Sequence, residues 1–214
     1  MKERPILFSS EMVKAILDGR KTQTRRVVKP QPEQGLTIGN ISCNGMQEEW
    51  FLCDKDGDEI PDSIINCPYG QPSDRLWVRE TWDVYSSESD NQPSGPPVVT
   101  YKADGGYSAT RPGRWRSPIF MPRTMSRITF EITAVRVERL QDISEENAKA
   151  EGCGGYVGGE GPVNECVLAV EPGYLHQRFF RDGFSFLWDS LNAKRGYGWD
   201  ANPFVWVISF RRIT

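Results

Sequence analysis

A chain of 214 residues with 26 Lys and Arg against 29 Asp and Glu has a formal charge of -3 and enough length for one domain with a sizeable core. Its mean hydropathy of -0.53 fits a water-soluble composition, and no apolar run approaches the roughly 18 residues of a membrane span. The slight negative charge also disfavours tight binding along a long duplex, which calls for a strongly basic surface.

The opening "MKERPILFSSEMVK" has no apolar leader core, so a cytoplasmic location is the expectation. Residues 5–8, "PILF", form a short strand candidate. The following "SSEMVKAILDG" offers Ser9 or Ser10 as N-cap and places Met12, Val13, Ile16 and Leu17 at helical spacing, with Gly19 as the stop. Directly behind that glycine comes "RKTQTRR", a dense group of cations and threonines. "RVVKPQPEQG" then breaks the pattern with two prolines and begins an insertion-like stretch.

Within that stretch, "CDKDGDEIPD" invites a calcium reading, but an EF-hand loop needs glycine at its sixth position and glutamate at its twelfth. Counting from Asp54, Gly57 is fourth and Ile65 twelfth, so a hairpin tip at Asp56-Gly57 between "EEWFLC" and "EIP" is the better reading. "DRLWVRETWDVY" alternates Leu76 and Val78 against Trp77 and Arg79, as a strand does, and "PPVVTYKA" is another strand. Residues 111–127 hold five arginines and no acid, with Trp115 and Phe120 among them. "SRITFEITAVRVERL" alternates Ile128, Phe130, Ile132 and Ala134 before Val135 and Val137 change parity, which predicts a bulge or bend near Ala134.

"ISEENAKAEG" predicts a short helix capped by Ser144 and ended by Gly152. The glycine-rich "GCGGYVGGEG" satisfies neither a P-loop nor a GxGxxG pattern and reads as a loop. "YLHQRFFRDGFSFLWDSLN" has helical spacing of aromatics and leucines, and "NPFVWVISFRRI" predicts a terminal strand buried through Phe204, Trp206, Ile208 and Phe210. The five cysteines, Cys43, Cys53, Cys67, Cys153 and Cys166, are irregularly spaced without a CxxC pair. A structural zinc would need three or four of them to converge with His176, and reduced thiols are the simpler reading. No metal or cofactor motif is present, and one histidine leaves proton chemistry to Lys, Glu or Asp.

Strands outnumber helices and do not alternate regularly with them. An α+β fold is expected, a small mostly antiparallel barrel with flanking helices. It reads as one domain over residues 1–214 with insertions at about 29–66, 86–120 and 153–173.

These residues resemble the ASCH family of the PUA-like superfamily. The family signature G-x-K-x-x-x-x-R after the first helix is matched by Gly19, Lys21 and Arg26. "QPSDRLWVRE" is similar to the family's approach to a later strand, with Ser73 where glycine is usual. The strand-then-helix segment ending in Glu151 is similar too, and the whole pattern resembles larger ASCH-like proteins of phages and prophages. The resemblance implies a pseudo-barrel with helices beside a cleft and an association with RNA and modified bases. Some small members hydrolyse the amide of N4-acetylcytidine with a lysine, a threonine and a glutamate; the matching positions are Lys21, Thr24 and Glu151.

Such an amidohydrolase needs a nucleophile, a base and stabilisation of the developing oxyanion. Thr24 supplies a hydroxyl and Lys21 a base, while Glu151 shuttles protons or binds the cytosine amino edge. A free lysine is a weak base at neutral pH, so that role needs like-charge neighbours such as Arg20, Arg25 and Arg26, together with burial. Because Lys21 and Thr24 are three residues apart, they share a side only if the chain turns or bulges across "KTQT".

A second reading is a binding module for a nucleoside or a short single strand of RNA or DNA. In it Gly19, Arg20, Arg25, Arg26, Arg79, Arg114 and Arg116 form the contact surface, and Trp77, Trp82 or Trp115 stacks a base. A third is a phage accessory that binds a protein partner through its insertions.

Overall fold

The computed structural model describes residues 1–43, 47–85, 98–106, 108, 114–153 and 180–213. In chain order these form β1 (Glu3–Leu7), α1 (Ser10–Leu17), β2 (Gln23–Val27), β3 (Thr37–Cys43), β4 (Gln47–Cys53), β5 (Arg75–Arg79), β6 (Trp82–Tyr85), β7 (Val98–Tyr101), β8 (Thr129–Arg139), α2 (Glu145–Ala150), α3 (Phe180–Asn192) and β9 (Phe204–Arg212). Most of the expected insertion at 86–120, nearly all of that at 153–173, the glycine-rich loop beyond Cys153, Cys166 and His176 lie outside the described residues.

The central sheet has five strands in the order β1-β5-β8-β9-β2, and two separate two-stranded ribbons, β3-β4 and β6-β7, accompany it. The α+β class holds, but the expected barrel does not form. β1 and β2 are the two edges of an open sheet, and β1 pairs with β5 in parallel, so the sheet is mixed. Where a closing ladder would run, the Arg26 guanidinium from β2 donates to the Leu7 carbonyl of β1 at 2.8 Å. A side chain thus bridges the edges, leaving room for a cleft between them.

Local sequence accounts for the helices that frame this gap. Ser9 accepts from the Met12 amide at 3.3 Å as N-cap of α1, whose Val13 and Ile16 are buried. Ser144 caps α2 in the same way through the Asn147 amide at 3.1 Å. The bulge in β8 falls where the parity change predicts it: Ile132 faces Phe210 and Ala134 faces Ser209, leaving Thr133 as the extra residue.

The strand expected across residues 74–85 breaks between Arg79 and Trp82, so β6 leaves the central sheet to pair with β7. β9 buries more than the one face expected of it. Trp206, Ile208 and Phe210 join the core beneath α1, where Phe130 and Phe210 stack with centroids 4.2 Å apart. Val205 and Val207 meet Phe184, Trp188 and Ala148 of α3 and α2 on the opposite face.

β3 and β4 form a hairpin whose Trp50 packs edge-on against Trp206 at 5.8 Å. Its connecting residues 44–46 are outside those described. A further turn does occur at the expected Asp56-Gly57 site, closed by a Cys53–Glu59 bridge. The Asp54 carboxylate accepts there from the Asp56 and Asp58 amides, an acid used to hold its own turn.

Asp74 fastens the start of the chain to β5. Its carboxylate accepts from the Lys2 amide at 2.7 Å and from Arg4 Nη1 at 2.9 Å. Burial pushes the carboxyl up, but the bonds from Lys2, Arg4 and the Gln71 amide together outweigh burial and bring it below the ordinary carboxylate value. A depressed folded-state value gives stability that is present above the ordinary range near pH 4 and lost as pH falls through the folded value. Asp74→Asn is therefore expected to cost about 2 kcal/mol at neutral pH and progressively less as pH falls below about 4. Urea denaturation at pH 7 and in acid measures both, and a penalty independent of pH would contradict the assignment.

Candidate functional site

The end of α1 sets the position of Lys21. Gly19 takes φ +71°, the left-handed conformation that ends helices at glycine. The Ala15 carbonyl then accepts from both the Arg20 and Lys21 amides, at 2.8 and 2.9 Å. From there the chain runs beside the end of α2: Lys21 and Glu151 form an antiparallel bridge, and the Thr22 amide donates to the Ala150 carbonyl at 2.9 Å. Gly152 permits this approach, since a Cβ there would lie 2.9 Å from the Cβ atoms of both Ala15 and Lys21, at a φ of +79°.

The side chains complete the junction with a buried ionic network. Lys21 Nζ donates to Glu151 Oε2 and to the Glu151 carbonyl, each at 2.8 Å. Arg25 Nη1 donates to the other carboxylate oxygen, Oε1, at 3.0 Å, while its Nε and Nη2 both donate to Glu138 Oε1. Gln23, with its amide oxygen turned to Arg25, accepts from Nη1 at 2.7 Å. Lys21, Arg25 and Glu151 are 2, 2 and 5 % exposed, so two cations share one carboxylate in a region nearly closed to water, while Glu138, also paired with Arg136, sits at its edge.

Beside this network lies a cleft of about 410 Å³ between the edge strands β1 and β2, with α3 along one side. Glu151, Thr24 and Arg26 line it with the aromatic rings of Phe8, Tyr69 and Trp188. The Arg26 guanidinium rests over the Phe8 ring at 5.2 Å, and Arg25 over Phe184 at 5.7 Å. This size is within the range of small-molecule pockets, roughly 300–1,000 Å³.

Comparison with known proteins found no matching family model, no matching curated protein and no matching solved structure. The site is therefore read from its own residues.

Lys21 and Glu151 stand in direct contact, and Thr24 lines the same cleft as Glu151. The turn across "KTQT" is absent: β2 is extended from Gln23, with Thr24 opposite Ile208 of β9. Alternation places Thr24 on the other face of the strand from Gln23 and Arg25, so the chain does not stack its hydroxyl on Lys21. Arg20 is held by Asp18 at 2.8 Å and the Gly152 carbonyl at 3.3 Å, and Arg25 by its two glutamates. Of the motif's cations, Arg26 lines the cleft and, among the described residues, has no carboxylate of its own.

The other expected contacts sit apart from this cleft. Trp77 is buried in β5, with Arg79 over its ring at 4.8 Å and Arg123 at 5.9 Å. The basic segment finds its acids elsewhere in the chain: Arg116 pairs with Asp83, Arg123 with Glu3, and Arg127 with Glu80 and Asp104. Arg114, Trp115 and Arg116 border a separate open depression beside Trp82 and Phe120.

Among the described residues no three His, Cys, Asp or Glu side chains converge as a metal site. Burial pushes the Cys67 thiol up to about 11, which keeps it protonated and poorly nucleophilic at neutral pH. No helix among the described residues is long and apolar enough to cross a membrane. Sequence reading missed Glu138, which holds Arg25 from β8, and Arg195, which lines the cleft just beyond α3. Neither belongs to a recognisable motif.

Proposed function

We propose that this chain is an ASCH-type amidohydrolase whose cleft takes an N4-acylated cytidine or a related modified nucleoside. The observation that carries the reading is Glu151 on the cleft wall, its carboxylate held by Lys21 and by Arg25, which lines the cleft beside it. The match of Gly19, Lys21, Thr24, Arg26 and Glu151 to the hydrolase pattern supplies the reaction.

The extended path of β2 changes the roles expected from the motif. Glu151 acts as general base on a water, and the water oxygen attacks the acyl carbon as its proton passes to the carboxylate. The Thr24 hydroxyl donates to the developing oxyanion. As the acyl C–N bond breaks, the proton on Glu151 passes to the exocyclic nitrogen, releasing a carboxylic acid and cytidine. Lys21 is a positioning residue: its two bonds to Glu151 fix the carboxylate's direction.

The test is chromatographic assay of N4-acetylcytidine incubated with the protein. Cytidine and acetate are expected in equal amounts, with Glu151→Gln and Lys21→Met each lowering kcat at least about a hundredfold. Lys21→Arg, which keeps a donor to Glu151, should recover part of kcat with little change in KM. Persistence of the substrate with folded protein, or equal turnover by Glu151→Gln, would sink the hydrolase reading.

The burial of Lys21 against two oxygens of Glu151, away from the cleft lining, favours one alternative, a pocket that binds a modified base without turnover. Binding of N4-acetylcytidine with no product would select it.

A further inference from the structure

The charges around the cleft are unevenly compensated. Within the network, Lys21 and Arg25 meet Glu138 and Glu151, and Arg136, which does not line the cleft, adds a further cation on Glu138. Two further cations line the same cleft, Arg26 from β2 and Arg195 from the turn after α3. Among the described residues no carboxylate pairs with either. Arg79, Arg114, Arg139, Arg181 and Arg212 also pair with no acid among the described residues, but none of them lines this cleft.

The two cations also differ in setting. Arg26 is half-buried, its guanidinium fixed by the Leu7 and Arg25 carbonyls and by the Phe8 face. Arg195 is exposed, on the short turn that closes α3. An apolar cleft with aromatic walls thus has one fixed cation and one solvent-facing cation at its boundary. A neutral nucleoside would leave both unmatched, whereas a phosphate ester attached to its sugar would meet them with charge-assisted hydrogen bonds.

We infer that the ligand of this cleft is anionic, a nucleotide whose base and ribose occupy the space between β1 and β2 and whose phosphate is held by Arg195 and Arg26. This deepens the nucleoside reading above and rests on it for the choice of ligand. It makes Arg195 a specificity-determining residue outside the "GRKTQTRR" motif. The same phosphate chemistry is offered by a free mononucleotide and by a nucleotide within a short strand.

The test is equilibrium binding by calorimetry at low salt, which needs no turnover. The probes are the four ribonucleosides, their 5′-monophosphates, N4-acetylcytidine, its 5′-monophosphate and a cytidine trinucleotide. At least one phosphorylated probe is expected to bind about tenfold or more tightly than its nucleoside. Arg195→Gln should bring that ratio close to one, with partial recovery in Arg195→Lys. Preference for the trinucleotide over the monophosphate assigns the phosphate to a strand, and the reverse assigns it to a free nucleotide.

Arg195 is exposed, so its substitution should leave the fold intact, as circular dichroism will show. Equal affinity for every nucleoside and its phosphate, absence of binding by all probes, or a ratio unmoved in Arg195→Gln would overturn the inference. A phosphate preference without hydrolysis removes the hydrolase reading alone; hydrolysis of N4-acetylcytidine without a phosphate preference removes this inference alone.

Discussion

Lys21→Met is expected to lower the unfolding free energy by about 3 kcal/mol, far more than a surface lysine would. The ammonium is buried and bound by two oxygens of Glu151, so its loss leaves a carboxylate short of a partner in a region that water does not reach. Arg25 still holds the second oxygen at 3.0 Å, which limits the damage. Glu151→Leu alone strands Lys21 instead. The double variant removes both charges and should be more stable than the sum of the two losses predicts, with a coupling of about 2 kcal/mol or more. Urea denaturation of the four proteins gives that coupling. Strict additivity would show that the contact contributes nothing specific to stability.

The junction around Lys21 was partly legible because its parts are local. Ser9, Ser144, Gly19 and Gly152 each act within one turn of chain, and caps and left-handed stops have direct residue signatures. The bulge of β8 was legible for a similar reason, since a change in apolar parity is written along a single strand. Sheet closure is a different kind of information. An edge strand in an open sheet and a paired strand in a barrel have the same alternation, and what separates them here is that β1 and β2 share no ladder, only the Arg26 bond to Leu7.

Charge is subject to the same limit. Residues 111–127 contain arginine without acid, which reads as a phosphate-binding surface, yet Glu3, Glu80, Asp83 and Asp104 come from segments distant in sequence to meet them. Glu138 shows the converse limit. It lies on β8 between Val137 and Arg139, with nothing local to mark it, but β8 and β2 both flank β9. Glu138 stands opposite Val205 and Arg25 opposite Val207, so the glutamate reaches an arginine two strands away. A sequence shows which residues can ionise; the sheet order determines which of them meet.

Arg25 should show the largest effect of any single charge in the described chain. It is the one cation shared by Glu138 and Glu151, with its guanidinium fork split between them. Arg25→Met removes that partner from both carboxylates at once, leaving Lys21 to Glu151 and the half-exposed Arg136 to Glu138, and is expected to cost about 4 kcal/mol or more. Arg25→Lys should recover little, because a single ammonium cannot direct donors to two carboxylates as the planar fork does. The matched control is Arg211→Ala, which breaks an Arg211–Glu131 pair of similar length, 2.7 Å, whose arginine is 69 % exposed. That change should move stability by less than about 0.5 kcal/mol. Added salt should leave the Arg25 penalty nearly intact while erasing what remains of the Arg211 effect, since screening acts weakly on buried charge. Comparable penalties at the two sites would mean that the network is solvated and that Glu151 is not held rigidly at the cleft wall.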